Sequence, residues 1–545
     1  MKKHAMLWIY NKIKAHRLSL VLLTLCDGLL SVCVVAFAYL SKGFLDAAVE
    51  QGIKGALPEA LLLGGVVIAQ IVLRFVSGML SEQTAGKINM SLKNGLFLSA
   101  LRRNMRSSAS AHSGETLNRL FSDTSVISEG IASILPTAAA IVTRLAAVFV
   151  VLALFDAYLI IAFGIMGGLL YLLSRLMRPH IKRLHKNMQQ AEDRVRACLQ
   201  EAFDRLVVIK AYGREQALAS NAHSRQQTHY RARMDRARLS VLVSSGFVLF
   251  FRGAYVAVMI YCAVRLSRGD GEMTFGTLMA LLQLVGQVQQ PFASLSGIMP
   301  RYYAMLSSAE RLMQLEQGTE SFEQKDTAAI YQKMGGICIE DVTFNYGRER
   351  VLEHASAYIP KGSFTLLTAP TGAGKSTLFM LLMGLYDYTG EIRTDAGEGL
   401  DGSTRPMFAY VPQGNLLFTG TVRDNVCFAR SGSEAEIEQA LDISCSSEFV
   451  SRLPQGLDTP IGQEGSALSE GQAQRLALAR AIMSGAPVLL LDEATPALDD
   501  ATEKQLLHNL RGLDRTVILI SHKSAARDVC TQELALENGG LRQVK

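Results

Sequence analysis

Six apolar stretches, at residues 18–40, 60–80, 134–155, 157–177, 239–264 and 275–298, fill most of the first 300 positions. A helix needs about 20 mostly apolar residues to cross a bilayer. With no water in the hydrocarbon, each backbone N–H and C=O must pair inside its own segment, so these stretches are predicted to be helices. The composition shows the same asymmetry. Hydrophobic residues make up 49% of the 545 and charged residues 19%, against roughly 25% charged in an ordinary chain. The deficit is concentrated in residues 1–316, read as an all-α six-helix transmembrane domain. Residues 317–334 read as a polar linker, and 335–545 as a soluble α/β domain.

The distribution of Lys and Arg orients the spans. Lys2, Lys3, Lys12, Lys14 and Arg17 precede the first span without an acidic residue, and the stretches 81–133 and 178–238 are strongly basic. The turn at Phe155-Asp156-Ala157 has no Lys or Arg. Basic loops stay cytosolic, so both termini and both long gaps are expected there. The net charge of +6 therefore describes a chain embedded in a lipid bilayer, with no nucleic acid partner implied. Residues 6–17, with Trp8 and Tyr10 on a basic background, look like an interfacial helix. The long gaps read as helical stalks continuing below the membrane.

Ionisable groups within spans are costly and usually functional. Asp27, Arg144 and Arg252 fall mid-span, where they either pair with one another or face water. Gln283, Gln287 and Gln290 recur at helical spacing and suggest a polar cavity face, with helix packing as the alternative. The eight cysteines form no Cys-x-x-Cys pair and are expected to be reduced.

The α/β half carries the chemistry. The strand-like run 364–368 leads into Ala369-Pro370-Thr371-Gly372-Ala373-Gly374-Lys375-Ser376, followed by a helical run that begins at Thr377. Strand, glycine loop and helix in that order make a phosphate cradle. The backbone N–H groups of Thr371 to Thr377 close on phosphates, and the helix start favours their charge. Lys375 neutralises the β and γ phosphates of ATP, and Ser376 offers an oxygen to Mg2+. Further on, the apolar run 488–491 ends in Asp492-Glu493. Asp492 is suited to organise Mg2+ and Glu493 to polarise the attacking water.

Leu468-Ser469-Glu470-Gly471-Gln472, shortly before that run, resembles the signature of ATP-binding cassette (ABC) proteins. Further matches are Gln413 (the Q-loop), Ala497-Leu498-Asp499 (the D-loop), His522 (the switch histidine) and Tyr346, the aromatic that stacks on adenine. Residues 206–216 and 110–127 look like the coupling segments of exporter-type half-transporters. The resemblance covers essentially the whole chain and implies the exporter-type (type IV) fold.

The resemblance also implies how such a chain works. Two cassettes share each ATP site, so the partner is a second half-transporter chain, identical or related. Ser469, Gly471 and Gln472 of one chain face the cradle, Gln413, Glu493 and His522 of the other. Gln413 joins Ser376 and Asp492 around Mg2+, and Glu493, His522 and Lys375 are the catalytic groups. The implied location is a bacterial-type cell membrane with the ATPase cytosolic. The expected function is ATP-driven export of a small or amphipathic molecule by alternating access. An ATP-gated channel or regulator, or an exporter-shaped importer of metal-chelating compounds, remains as an alternative. Three positions depart from the pattern: Ala369 for Gly, Glu470 for Gly and Pro496 for Ser. None removes a catalytic group.

Overall fold

The computed structural model describes the chain apart from residues 1, 104, 106–112, 156, 269–272, 317–321, 348, 371, 415–416, 463–467 and 495–498. It divides into two units, residues 1–98 with 114–315, and 99–113 with 316–545.

The first unit is helical. After α1 (Lys2–Lys12), the six apolar stretches lie one each in α2 (Arg17–Glu50), α3 (Leu57–Leu101), α4 (Thr124–Phe155), α5 (Ala157–Asp204), α6 (Glu215–Ser267) and α7 (Phe275–Glu316). Among the described residues four helices, those containing α2, α3, α4 and α6, are long and apolar enough to cross a membrane. The apolar window of α3 is not buried by protein at all. Leu61, Ile68, Ile71 and Phe75 stand exposed along it, a surface suited to lipid. α2 packs along α4, and α5 along α6.

Two apolar clusters hold this unit. One joins Val35 and Ala38 of α2, Val148 and Leu152 of α4, Phe251 and Val258 of α6, and Leu281 to Val288 of α7. The other gathers Leu92 and Leu96 of α3, Ile127 of α4 and Leu306 to Leu315 of α7. Ala5 and Ile9 of α1 belong to it and are buried. One side of α1 is thus packed into the bundle, where the sequence suggested a helix resting on a membrane surface.

Polar contacts pin α7 along its length. Asp46 of α2 accepts from Thr274 Oγ1 at 2.9 Å and from the Gly276 N–H at 3.1 Å, at the start of α7. Midway, Gln287 Nε2 donates to the Val34 carbonyl at 2.9 Å. Near its end, Arg311 Nε donates to Asp123 Oδ2 at 2.9 Å, and Ser308 Oγ donates to Asp123 Oδ1 at the same distance. Asp123 is buried and closes a one-turn π-helix at Arg119–Asp123, a wider turn that shifts the register of the side chains following it. The intramembrane charges do not pair with one another. Asp27 accepts from Ser77, Arg144 donates to Gln290, and Arg252 is exposed. Gln287 and Gln290 thus serve helix contacts, the packing alternative for that polar face. All eight cysteines are free thiols.

The second unit is α/β. Phe322, Lys325 and α8 (Thr327–Lys333), read above as linker, make ordered contacts inside it. Lys325 pairs with Glu398 at 2.5 Å, and Asp326 caps α8 through the Ala329 N–H. β1 (Gly336–Tyr346), β2 (Glu349–Pro360) and β4 (Thr389–Thr394) form an antiparallel sheet in the order β2-β1-β4. β3 (Phe364–Thr368), β5 (Phe408–Val411), β6 (Val488–Asp492), β7 (Thr516–Ile520), β8 (Gln532–Glu537) and β9 (Gly540–Gln543) form the second sheet, ordered β9-β8-β3-β7-β6-β5. β3, β5, β6, β7 and β8 are mutually parallel. β6 and β7 are buried along their whole length, which is why they read as continuous apolar runs without alternation. Helices α9 (Lys375–Leu382), α10 (Val422–Val426), α11 (Glu434–Ile443), α12 (Glu470–Met483), α13 (Asp500–Arg511) and α14 (Ser524–Val529) also belong to the unit.

Candidate functional site

Ligands of parallel sheets bind beyond the carboxyl ends of the strands. Four neighbouring strands, β3-β7-β6-β5, end respectively in the phosphate loop, His522, Asp492-Glu493 and the segment carrying Gln413. Residues far apart in sequence therefore meet along one sheet edge.

The loop between β3 and α9 turns on two glycines. Gly372 has φ +84° and Gly374 φ +98°, conformations that side chains rarely adopt. Gly374 is also crowded, since a Cβ there would lie 2.3 Å from Val351 Cγ1. Ala369 is not among the residues with positive φ, so this backbone does not require the glycine the pattern asks for. α9 begins without a side-chain cap, leaving its first N–H groups directed into the loop. Lys375 and Thr377 are buried, and Ser376 is exposed. Thr371 lies outside the described residues; Ala373 donates its N–H to the Pro370 carbonyl at 3.2 Å.

Side chains knit the strand ends together. Lys375 Nζ donates to the Ala369 carbonyl at 2.8 Å and lies 3.1 Å from His522 Nε2. His522 Nε2 in turn lies 3.6 Å from Glu493 Oε1. Gln413 Nε2 donates to Glu493 Oε2 at 2.6 Å. Gln413 therefore rests on the carboxylate read as the base, not on the Asp492–Ser376 pair. Glu493 holds φ +46°, unusual for a residue with a side chain, and its N–H is tied to the Ile520 carbonyl at 3.1 Å. Such backbone strain persists only where the surroundings impose it.

Asp492 is buried at the end of β6 and accepts hydrogen bonds from Ser376 and from Tyr410 Oη, the latter at 3.2 Å. Burial pushes its carboxyl above the ordinary value; the two donated hydrogen bonds pull the other way, and neighbouring Glu493 adds to the rise. Tyr410 holds its proton well above the usual phenol range, through burial and then the charge of Asp492. Tyr410 was missed by the sequence reading, and no spacing marks it, because it sits inside an ordinary strand. An acidic oxygen beside a hydroxyl fits a hard cation such as Mg2+. Among the described residues no group of three His, Cys, Asp or Glu could hold a metal unaided. Such an ion would therefore need oxygens from elsewhere, such as nucleotide phosphates.

Tyr346 is 45% exposed, with its ring edge-on to Phe344 at 4.8 Å and to Tyr386 at 5.6 Å, a platform open on one side. Ser469, Gly471 and Gln472 stand at the start of α12. Ser469 Oγ accepts from the Gln472 N–H at 3.3 Å, and Gln472 Oε1 accepts from the Ser469 N–H at 2.9 Å. In this reciprocal cap each side chain accepts the other residue's backbone N–H. Gly471 is buried in the first turn. Ala497, Leu498 and Pro496 lie outside the described residues; Asp499 caps α13 through the Thr502 N–H.

Comparison with known proteins agrees with this geometry. Residues 20–292 match the family described as ABC transporter transmembrane region, and residues 352–496 the family described as ABC transporter. An ATP-dependent lipid A-core flippase of Photobacterium profundum is 28% identical over 535 residues, covering 96% of this chain and 90% of that protein. The mitochondrial iron-sulfur clusters transporter ATM1 of Yarrowia lipolytica is 30% identical over 372 residues, 66% of this chain and 52% of that one. A solved bacterial Atm1-family ABC exporter with ATP bound superposes with TM-score 0.78 at 24% identity, covering 97% of this chain and 95% of that chain, a likeness of fold. With its transmembrane region and nucleotide-binding cassette in one polypeptide, the chain belongs to the ABC transporters and is an ATP-hydrolysing transporter chain.

Proposed function

We propose that two such chains, identical or related, form a pump in a bacterial cell membrane, with cassettes and termini cytosolic, six spans per chain, and ATP driving outward movement of an amphipathic molecule. The observation that carries the reading is the linked set Gln413–Glu493–His522–Lys375, reached from four adjacent strand ends. In this reading Thr371 to Thr377 bind the phosphates, Tyr346 stacks on adenine, and Glu493 takes the proton of the attacking water. Ser376 and Asp492, with Gln413 after it leaves Glu493, would hold Mg2+, whose charge offsets that of the phosphates. The capped start of α12, with Ser469, Gly471 and Gln472, faces the partner's nucleotide, donating backbone N–H groups and the Ser469 hydroxyl.

Arg144 bears on the cargo. Its guanidinium meets an amide, Gln290, with no acidic partner among the described residues, and its buried Nε has none; nor has Gln287 Oε1. A cation left uncompensated within a span is a functional-site candidate. An amphiphile with an acidic group suits it, in keeping with relatives named for flipping a lipid.

ATP hydrolysis by the purified chain in lipid nanodiscs, beside Glu493→Gln, tests the reading. Wild type should turn over, and the variant should bind ATP yet lose about 100-fold or more in rate. A variant as active as wild type removes Glu493 from the chemistry. A wild type that binds nucleotide without turnover points to a non-identical partner.

A further inference from the structure

Glu503 has no part in the site as described, yet it is 2% exposed. Its carboxylate lies 3.0 Å from Nζ of Lys523, the residue directly after His522. A carboxylate this deep is costly unless paired, so the bridge is a built feature and not a chance surface contact.

The bridge joins two functional segments. Glu503 lies near the start of α13, whose cap Asp499 closes the run Ala497-Leu498-Asp499 that resembles the D-loop. Lys523 occupies the cap position before α14, and its N–H donates to Ser521 Oγ at 3.2 Å. His522 thus sits between β7 on one side and a residue clamped to α13 on the other. Its own ring is half exposed, with 50% of the side chain accessible, so packing alone does not fix it.

We propose that Glu503 is a positioning residue for ATP hydrolysis. Through Lys523 it fixes residues 521–523, keeping His522 Nε2 beside Lys375 Nζ and Glu493 Oε1. The proposal rests on the reading of His522 as a group acting on the nucleotide. An arm misplaced by about 1 Å can cost up to 100-fold in rate, while nucleotide binding, which relies on the loop and Tyr346, is untouched.

The test uses the full chain in nanodiscs, in the assembly that hydrolyses ATP. Glu503→Gln should lower kcat roughly 10- to 100-fold, with the KM for ATP within about two-fold. Placed on His522→Ala, the same change should cost less than about two-fold more, since residues acting as a unit are not additive. An equal fold loss in both backgrounds, or a parallel rise in KM, overturns the proposal and leaves Glu503 with general support of the fold. Should His522→Ala alone turn over like wild type, the histidine reading fails, and a loss in Glu503→Gln would then act elsewhere. If Glu503→Gln folds poorly, Lys523→Gln, altered at the more exposed end, serves instead: the same kcat loss supports the proposal, and wild-type turnover refutes it.

Discussion

Ala369 and Gly374 stand in one loop and make opposite demands on the backbone, which leads to a paired prediction. Gly374 holds φ +98° with Val351 Cγ1 2.3 Å from where a Cβ would go. Gly374→Ala therefore adds backbone strain of about 1–3 kcal/mol and overpacking of about 1–3 kcal/mol. The sum, about 2–6 kcal/mol, corresponds to a fall in Tm of roughly 5–20 °C for a cassette of this size. Ala369 needs no positive φ, so Ala369→Gly, which restores the family pattern, only frees the unfolded chain. It should cost about 0.4–1 kcal/mol and leave ATP affinity and turnover unchanged. Thermal unfolding of the full chain with fluorescent-nucleotide binding reads both. Adding Val351→Ala to Gly374→Ala should return the packing share and leave the strain share. Faster turnover or higher Tm in Ala369→Gly would refute the conformational reasoning, as would a Gly374→Ala chain that melts and binds like wild type.

Two further outcomes follow from side chains outside that loop. Arg144→Ala in proteoliposomes should abolish stimulation of the ATPase by an acidic amphiphile such as a fatty acid and leave basal turnover within about two-fold; equal loss of both would indicate a folding role. The Ser433 N–H first, then Arg430, hold Glu436 down to about 2. A carboxylate with a depressed native pKa stabilises above its unfolded value and loses that support as pH falls through the native one. The Tm gap between wild type and Glu436→Gln should accordingly narrow below about pH 4.5 and vanish toward pH 2, and a gap independent of pH contradicts this.

What could be read in advance was what has a period or a fixed spacing. Apolar runs of about 20 residues announce spans by length alone, and the phosphate loop and Asp492-Glu493 announce themselves because strand, turn and helix force that order. The partners that tune them come from distant strands and helices. Tyr410 donates to Asp492 across 82 residues of sequence, and Arg311 reaches Asp123 across 188. Only the fold brings such pairs together, and a lone Tyr or Arg carries no mark of it. The intramembrane charges stayed open in the sequence for a related reason: Asp27 and Arg144 look complementary there, yet in the fold one meets Ser77 and the other Gln290. Departures from a motif are equally opaque until the backbone is seen, since Ala369 is a defect only if its φ is positive.

The fastening of α7 at both ends and its middle has a mechanical corollary. Asp46 grips its start, Val34 its middle and Asp123 its far end, while Pro291 and Pro300 lie between the last two grips. A proline leaves the carbonyl one turn earlier without its helical partner, a point of low bending stiffness. Flexure there alters the tilt of the far end without undoing any clasp, and because that end is bolted to Asp123, α4 must swing with it. The last helix therefore behaves as a jointed rod coupled to its neighbours, not as a free hinge arm.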